Sequence, residues 1–142
     1  MQNNAGFNTP ADKLVLIVDD DDSVRELIEF IVKEDGFRVE KASDGAEALA
    51  KARSLHPDLI LLDLMLPKFG GFEIVRELQG DDTGDIPIVI ITGRYTDRST
   101  SEMIKQESNV KEFMEKPIKL HVLSATVHRI LHTQPPPKKA KP

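Results

Sequence analysis

Short apolar runs separated by polar segments set the pattern of this chain. Three runs are uninterrupted and span four or five residues each: Leu14–Val18, Leu59–Leu62 and residues 88–91. Runs of this kind are typical of strands that are buried on both faces of a parallel sheet. Two weaker segments, residues 37–42 and 110–114, predict two further strands, of which the first alternates as an edge strand does.

Segments with apolar residues at helical spacing separate the strands. Ser23 and Glu26 form a candidate capping box at the start of the first helix, and Gly36 marks its end. The second helix begins at Ser43-Asp44-Gly45 and stops before Pro57. The fourth, predicted over residues 97–108, has a weak signal because serine and threonine are poor helix formers. The third helix is predicted from its apolar positions Phe72, Ile74, Val75 and Leu78. The fifth is predicted from Leu120, Leu123, Val127 and Ile130.

Five strands alternating with five helices predict an α/β fold with a doubly wound parallel sheet. Right-handed crossovers favour the flavodoxin-like (βα)5 arrangement, with strand order 2-1-3-4-5 and helices on both faces of the sheet. In this order the first and third strands lie side by side at a switch point. Ligands of such sheets bind beyond the carboxyl ends of the strands at that point.

The periodic pattern predicts one folded domain over residues 13–132. Residues 1–12 are rich in asparagine and lack a period, so we expect a flexible N-terminal arm. Residues 133–142 contain a run of prolines and three lysines, which indicates an exposed tail or linker.

Composition narrows the class of protein. The chain has no cysteine, which excludes disulfides and thiolate metal sites. No apolar run is long enough to cross a bilayer and the start of the chain does not resemble a signal peptide, so we expect a cytoplasmic protein without membrane insertion. The net charge is −5 although the tail lysines Lys138, Lys139 and Lys141 are included. An acidic body predicts no direct binding of nucleic acid.

Polar groups follow four of the five predicted strands: Asp19-Asp20, Asp63, Thr92 and Lys116. The carboxyl ends of parallel strands meet at one edge, where neighbouring strands are about 4.8 Å apart. We therefore expect these groups to converge.

Their chemistry fits phosphoryl transfer. Clustered carboxylates repel one another, and Mg²⁺ with oxygen ligands and water relieves this repulsion. Lys116 supplies a second positive charge and Thr92 a hydroxyl donor. Asp63 can serve as a nucleophile that forms an acyl phosphate, since such transfer requires mainly positioning and charge neutralisation.

Four motifs resemble those of the receiver domain of two-component response regulators, over roughly residues 13–132. They are Val18-Asp19-Asp20-Asp21, Leu62-Asp63-Leu64-Met65-Leu66-Pro67, Ile91-Thr92-Gly93 and Glu115-Lys116-Pro117. Their order and spacing also match, with 43 residues from Asp20 to Asp63, 29 more to Thr92 and 24 more to Lys116.

The resemblance implies that Asp63 accepts a phosphoryl group from a sensor histidine kinase or a histidine phosphotransfer protein. It implies that Asp20 binds Mg²⁺ directly and Asp19 largely through water, and that Asp63 and the backbone carbonyl of Met65 are further ligands. Such a domain is a signalling switch that catalyses only its own phosphoryl uptake and dephosphorylation.

The resemblance also implies how the switch responds. Lys116 pairs with the phosphate and its bond to Pro117 is cis. Thr92 moves toward the phosphate, and Phe113 takes the place of the rotating aromatic that reports phosphorylation on the face of the fourth helix, fifth strand and fifth helix. The altered face then serves a downstream protein partner or a C-terminal output domain.

Some positions depart from the usual pattern of this family. Phe69-Gly70-Gly71 stands where a Met-Asp-Gly run is frequent, and Gly93 replaces the usual alanine. Residues 96–110 lack the usual Ala-Gly-Ala-containing turn, so the family pattern does not define the fourth helix or the output surface to which it belongs. Met65 and Arg94 each lie two residues past a key residue and are expected to flank the phosphate entrance, and we predict that they set the lifetime of the acyl phosphate.

Two other functions are open at this point. In a haloacid dehalogenase-like phosphohydrolase, Asp19 is the nucleophile, Asp21 the acid/base, and Thr92 and Lys116 the later motifs, but Asp63 then has no role. In a degenerate receiver, the same domain binds partners without phosphorylation.

Two histidines, His128 and His132, are spaced for one face of the last helix and can bind zinc. No third ligand is evident, so an interaction with the helix dipole is the favoured interpretation.

Overall fold

A computed structural model describes residues 6–66, 70–80, 82–93 and 98–135, with Thr100 described by its backbone alone. Five parallel strands form one sheet in the order β2-β1-β3-β4-β5, which confirms the predicted flavodoxin-like topology. The strands are β1 Leu14–Val18, β2 Arg38–Ala42, β3 Leu59–Leu62, β4 Ile88–Thr92 and β5 Val110–Glu115.

Five helices connect and follow the strands in the described part of the chain. They are α1 Asp22–Glu34, α2 Gly45–Leu55, α3 Gly71–Glu77, α4 Arg98–Lys105 and α5 Leu120–Leu131. Apolar residues of α2, α3 and α4 pack on one face of the sheet, and those of α1 and α5 pack on the other. β1, β3 and β4 are therefore buried on both faces, as their uninterrupted apolar runs predict.

The register of the central strands aligns their ends. Val18 pairs with Leu62, so the residue after each strand lies beside its neighbour at the carboxyl edge. On the other side, Thr92 pairs with Glu115, which precedes Lys116. The sheet thus brings the predicted polar groups to one edge.

The start of α1 corrects a prediction. Asp21 is the N-cap, and its Oδ1 accepts hydrogen bonds from the backbone N–H groups of Ser23 and Val24 over 2.9 and 3.2 Å. Ser23 lies inside the helix. Aspartate caps a helix as well as serine does, and its negative charge also complements the positive end of the helix dipole.

α4 is shorter than predicted and ends at Lys105, three residues before position 108. Gln106 and Glu107 donate to the carbonyls of Met103 and Ile104, which are three residues back, so the helix tightens and stops. This agrees with the weak helix propensity of the segment.

Part of the N-terminal segment packs on the domain, although a flexible arm was expected. Asn8 donates from its backbone N–H to the carbonyl of His132 over 2.7 Å and from Nδ2 to that of Leu131 over 2.8 Å. Phe7 stacks on the ring of His132, and Pro10–Asp12 forms a 3₁₀ turn. These contacts satisfy carbonyls that the end of α5 leaves unpaired, which is the reason the segment is held. Residues 1–5 and 136–142 lie outside the described residues.

Candidate functional site

Asp19 and Asp63 lie side by side at the carboxyl edge, where β1 and β3 end. The backbone N–H of Asp63 donates to the carbonyl of Val18 over 3.0 Å, and that of Asp19 donates to Ala42 over 3.2 Å. These bonds continue the sheet by one residue and fix both side chains. Asp19 is 1% exposed and Asp63 3%, so both carboxylates are largely removed from water.

Asp20 completes an acidic cluster with Asp19 and Asp63. One carboxylate oxygen from each residue lies within 4.8 Å of the others, and Asp20 is the exposed member. We call this cluster the acidic hollow. Three converging carboxylate oxygens with an opening to solvent are a donor set that suits Mg²⁺, which favours hard oxygen ligands and retains water. The donor set therefore fits the ion that the sequence predicts.

Lys116 brings one positive charge into the acidic hollow. Its Nζ lies 3.0 Å from Oδ2 of Asp19 and 3.2 Å from Oδ2 of Asp63. Its backbone N–H donates to the carbonyl of Thr92 over 2.7 Å. The bond to Pro117 is cis, as the resemblance implies.

Burial and neighbouring groups both shift the pKa values of Asp63 and Lys116. Burial raises the pKa of Asp63, and the charge of Asp19 raises it further, while the N–H of Met65 and the ammonium of Lys116 oppose the shift. Burial disfavours the charged form of Lys116, but its contacts with Asp19 and Asp63 outweigh burial and raise its pKa. Lys116 is therefore a cation at neutral pH, and it faces more negative charge than it can balance.

The predicted switch residues lie next to the acidic hollow and behind it. Thr92 ends β4 and is fully buried. Phe113 lies three residues before Lys116 on β5, pairs in register with Ile90 and is partly buried. The Nζ of Lys105 on α4 lies 5.0 Å from the centroid of its ring. The sheet thus brings Asp19, Asp20, Asp63 and Lys116 together, with Thr92 at the neighbouring strand end and Phe113 farther back.

Met65 follows the acidic hollow and contributes one clear contact. Its backbone N–H donates to Oδ1 of Asp63 over 3.0 Å, which orients the carboxylate. Met65 as a whole is 55% exposed. Arg94, the other residue predicted to flank the entrance, lies outside the described residues, and so do Pro67 and Phe69.

Gly71 supports the site in a way that the sequence analysis did not identify. A Cβ at this position would lie 2.4 Å from Cα of Leu64 and 2.9 Å from the carbonyl oxygen of Asp63. Glycine therefore lets the first turn of α3 pack directly against the backbone that carries Asp63. The only sequence signal was its place in the Phe69-Gly70-Gly71 run.

Arg25 is a second residue that the sequence analysis missed. Its Nη1 donates to the backbone carbonyl of Asp19 over 2.7 Å, and its Nη2 pairs with Asp22. Its position on α1 shortly after four aspartates was the available signal.

A separate polar cluster lies under the end of α5, and we call it the α5 cluster. Nδ1 of His128 lies 2.7 Å from Oγ1 of Thr133, and Nε2 lies 3.4 Å from Oδ2 of Asp35, which also accepts a hydrogen bond from Ser124. Hydroxyl, imidazole and carboxylate occur here in the order of a catalytic triad. However, His128 and Thr133 are each 3% exposed, so a substrate cannot reach them.

The surroundings of His128 bear on the two predictions made for His128 and His132, a zinc site and an interaction with the helix dipole. Within the described residues, the acidic trio is the group of three that can chelate a metal, and no third ligand joins His128 and His132. For His128, burial lowers the pKa and favours the neutral ring, against the charge of Asp35, and the dipole interpretation stays a prediction. No helix in the described part of the chain is long and apolar enough to cross a bilayer.

An acidic hollow with one lysine, at the switch point of a flavodoxin-like sheet, defines a receiver-type signalling domain. The profile of the response regulator receiver domain matches residues 15–128, and the chain belongs to this family. Receiver domains act as signalling switches in two-component systems. This match does not favour the haloacid dehalogenase hypothesis, and Asp63, which that hypothesis leaves without a role, lies in the centre of the site.

Known relatives agree with this assignment. The transcriptional regulatory protein AfsQ1 of Streptomyces coelicolor is 34% identical over 117 residues, which are 82% of this chain and 50% of AfsQ1. The DNA-binding response regulator MtrA of Mycolicibacterium smegmatis is 38% identical over 113 residues, which are 80% of this chain and 48% of MtrA. The chain thus spans about half the length of these relatives.

Solved structures of receiver domains have the same fold. The chemotaxis response regulator CheY4 of Vibrio cholerae superposes with a TM-score of 0.75 at 31% identity, covering 84% of this chain and 98% of CheY4. A CheY-like receiver domain protein from Methanospirillum hungatei gives a TM-score of 0.77 at 27% identity, covering 84% of this chain and 93% of that one.

Proposed function

We propose that this chain is a Mg²⁺-dependent phosphoacceptor whose Asp63 takes a phosphoryl group from a sensor histidine kinase or a histidine phosphotransfer protein. The observation that carries the proposal is the position of Asp63. It is a buried carboxylate held between the ammonium of Lys116, 3.2 Å away, and the N–H of Met65, 3.0 Å away. Both contacts orient the group and oppose its protonation.

The transfer joins one Asp63 oxygen to phosphorus. That oxygen attacks in line, the bond from phosphorus to the donor's imidazole nitrogen breaks, and the imidazole leaves with the bonding electron pair. Lys116 meets the negative charge on the phosphoryl oxygens, and the Thr92 hydroxyl donates to one of them. Water later attacks phosphorus, which releases phosphate and restores Asp63. The chain is therefore no enzyme beyond its own phosphorylation and dephosphorylation.

Asp19, Asp20 and Asp63 would hold Mg²⁺, with Asp20 as a direct ligand and Asp19 bound largely through water. The backbone carbonyl of Met65 would be a further ligand. A Mg²⁺ ion bound there would relieve the repulsion among the carboxylates and neutralise charge on the transferred group.

The response would pass from Thr92 to Phe113. Thr92 moves toward the phosphate, and Phe113 rotates and changes the face built by α4, β5 and α5. The contact of Lys105 with the ring of Phe113 supports the proposal, because it couples α4 to that ring. We also expect Met65 and Arg94 to set the lifetime of the acyl phosphate, and exchanging them without a change in decay rate would refute this.

The output of the switch would lie outside residues 13–132. We propose that residues 133–142 are a tail or linker and that residues 1–12 precede the domain. A downstream protein partner or a C-terminal output domain would respond to the altered face. With a net charge of −5 this chain would not itself bind nucleic acid, and we expect a cytoplasmic location.

The test is incubation with Mg²⁺ and a small phosphodonor such as acetyl phosphate, followed by intact mass. Wild type should gain one phosphoryl group, and Asp63→Asn should gain none. Asp85→Asn is the matched control, because Asp85 is 79% exposed and pairs with His56 away from the acidic hollow. A folded wild type that gains no mass would favour the binding-only receiver, and steady phosphate release from a generic ester would favour the phosphohydrolase.

A further inference from the structure

Arg25 lies on α1 and contacts the loop that carries the acidic hollow. Its Nη1 donates to the carbonyl oxygen of Asp19 over 2.7 Å, and its Nη2 pairs with the carboxylate of Asp22. The side chain is only 15% exposed, so the guanidinium is held against the loop. It does not compete with Lys116, which binds the carboxylates of Asp19 and Asp63.

The loop needs such a contact because it is short and carries like charges. Residues 19–21 join β1 to α1, and residues 19–22 are all aspartates. Asp19 is engaged on every side, since its N–H donates to Ala42, its Oδ1 accepts from the N–H of Asp21, and its Oδ2 faces Lys116.

The bond from Arg25 fixes a particular peptide group. The carbonyl of Asp19 belongs to the peptide group that carries the nitrogen of Asp20. A donor that holds this carbonyl therefore sets the rotation of that group, and with it the direction of the Asp20 side chain. Asp20 is the exposed member of the acidic hollow, so burial alone does not orient it.

We propose that Arg25 is a positioning residue for the cation, because it locks the Asp19–Asp20 peptide group and aims the Asp20 carboxylate into the acidic hollow. The inference rests on the proposed metal site. The planar fork of a guanidinium reaches a carbonyl and a carboxylate at once, whereas the ammonium of lysine is a point charge on a flexible stem.

Removing Arg25 should change the affinity for Mg²⁺ in opposite directions, depending on whether its charge or its positioning role dominates. A positive charge close to a cation site repels the cation, so removing it tightens binding if charge is all that matters. Loss of positioning weakens binding instead. Positioning should dominate here, because Asp22 already neutralises the guanidinium.

The test is a calorimetric Mg²⁺ titration of the unphosphorylated protein, without a phosphodonor. Arg25→Met should raise the Kd about tenfold, the low end of the range for residues that orient metal ligands from outside. Arg25→Lys should raise it about threefold, since lysine replaces only one of the two contacts. Arg53→Met is the matched control, because it removes the same charge from an exposed ion pair with Glu77 and should leave the Kd unchanged.

Thermal unfolding of each variant separates positioning from a general loss of structure. A folded Arg25→Met that binds Mg²⁺ as tightly as wild type, or more tightly, overturns the inference. If Arg25→Met does not fold, an unchanged Kd in Arg25→Lys overturns it in the same way. If the wild type does not bind Mg²⁺, both the proposed metal site and the inference are wrong. If the wild type and the variant bind Mg²⁺ with equal affinity, only the inference is wrong.

Discussion

The acidic hollow and the α5 cluster both bury charged groups, but they do so in different ways. The hollow sets three carboxylates against one ammonium and opens to solvent at Asp20. The α5 cluster sets the partly exposed carboxylate of Asp35 beside a buried, neutral imidazole and two hydroxyls. Several carboxylates around one ammonium at an open edge form a donor set that suits a cation, whereas a hydroxyl bonded to a buried imidazole contributes to stability.

The largest expected effect concerns the backbone beneath the hollow. Gly71→Ala should lower the free energy of unfolding by about 3 kcal/mol, because the new Cβ meets the backbone of Leu64 and Asp63 rather than a flexible side chain. Gly70→Ala is the control, since its nearest contact is an ordinary 3.6 Å to Glu73, and it should change the free energy by less than about 1 kcal/mol. Urea unfolding of both variants measures this, and equal losses would contradict the close packing.

A smaller effect is expected inside the α5 cluster. Thr133→Val keeps the shape but removes the partner of Nδ1 on the buried ring of His128. An unpaired buried polar group should cost about 2 kcal/mol of unfolding free energy. A change below about 0.5 kcal/mol in urea unfolding would mean that the ring finds another partner.

The contact of the N-terminal segment with the end of α5 should contribute less to stability. Asn8→Ala loses the Nδ2 bond to the carbonyl of Leu131 but keeps the backbone bond to His132. A loss of about 1 kcal/mol of unfolding free energy is expected, as for one partly buried hydrogen bond at a helix end. Amide hydrogen exchange should quicken at the end of α5 while the exchange of β1 is unchanged, and a uniform increase would contradict this local role.

Without Mg²⁺, acidification should change the free energy of unfolding in opposite directions in the two regions. The folded pKa of His128 lies below its usual value of 6.5, so the unfolded chain takes up the proton first and stability falls as the pH drops below about 6.5. The folded pKa of Asp63 lies above its usual value of 3.8, so the folded state takes up this proton first, and acidification through that window adds stability.

Unfolding titrations of two variants isolate these contributions. His128→Gln should reduce the loss of unfolding free energy near pH 6. Asp63→Asn should remove the opposing gain of unfolding free energy at lower pH. Unchanged profiles in both variants would mean that neither group titrates differently in the two states.

Much of the sheet and of the acidic hollow was predictable from the sequence, because each depends on local pattern. Uninterrupted apolar runs gave the central strands, and a parallel sheet necessarily brings Asp19, Asp63 and Lys116 to one edge. The cap at Asp21 was harder, because several adjacent aspartates and Ser23 can all fill that position.

Two of the contacts that the sequence analysis missed join distant parts of the chain. Asn8 binds a carbonyl 123 residues away, and His128 on α5 lies beside Asp35, which follows the end of α1. No periodicity encodes such pairs. The role of Gly71 likewise follows from the approach of α3 to Leu64, which becomes evident only when the helix is packed on the sheet.

The most direct measurement identifies the residue that carries the phosphoryl group. After reaction with acetyl phosphate and Mg²⁺, borohydride reduces an aspartyl phosphate to homoserine, and peptide mass spectrometry locates that residue. We predict homoserine at position 63 and unmodified aspartate at positions 19 and 20. Homoserine at position 19, or none in a folded protein, would contradict the assignment of Asp63 as the phosphoacceptor.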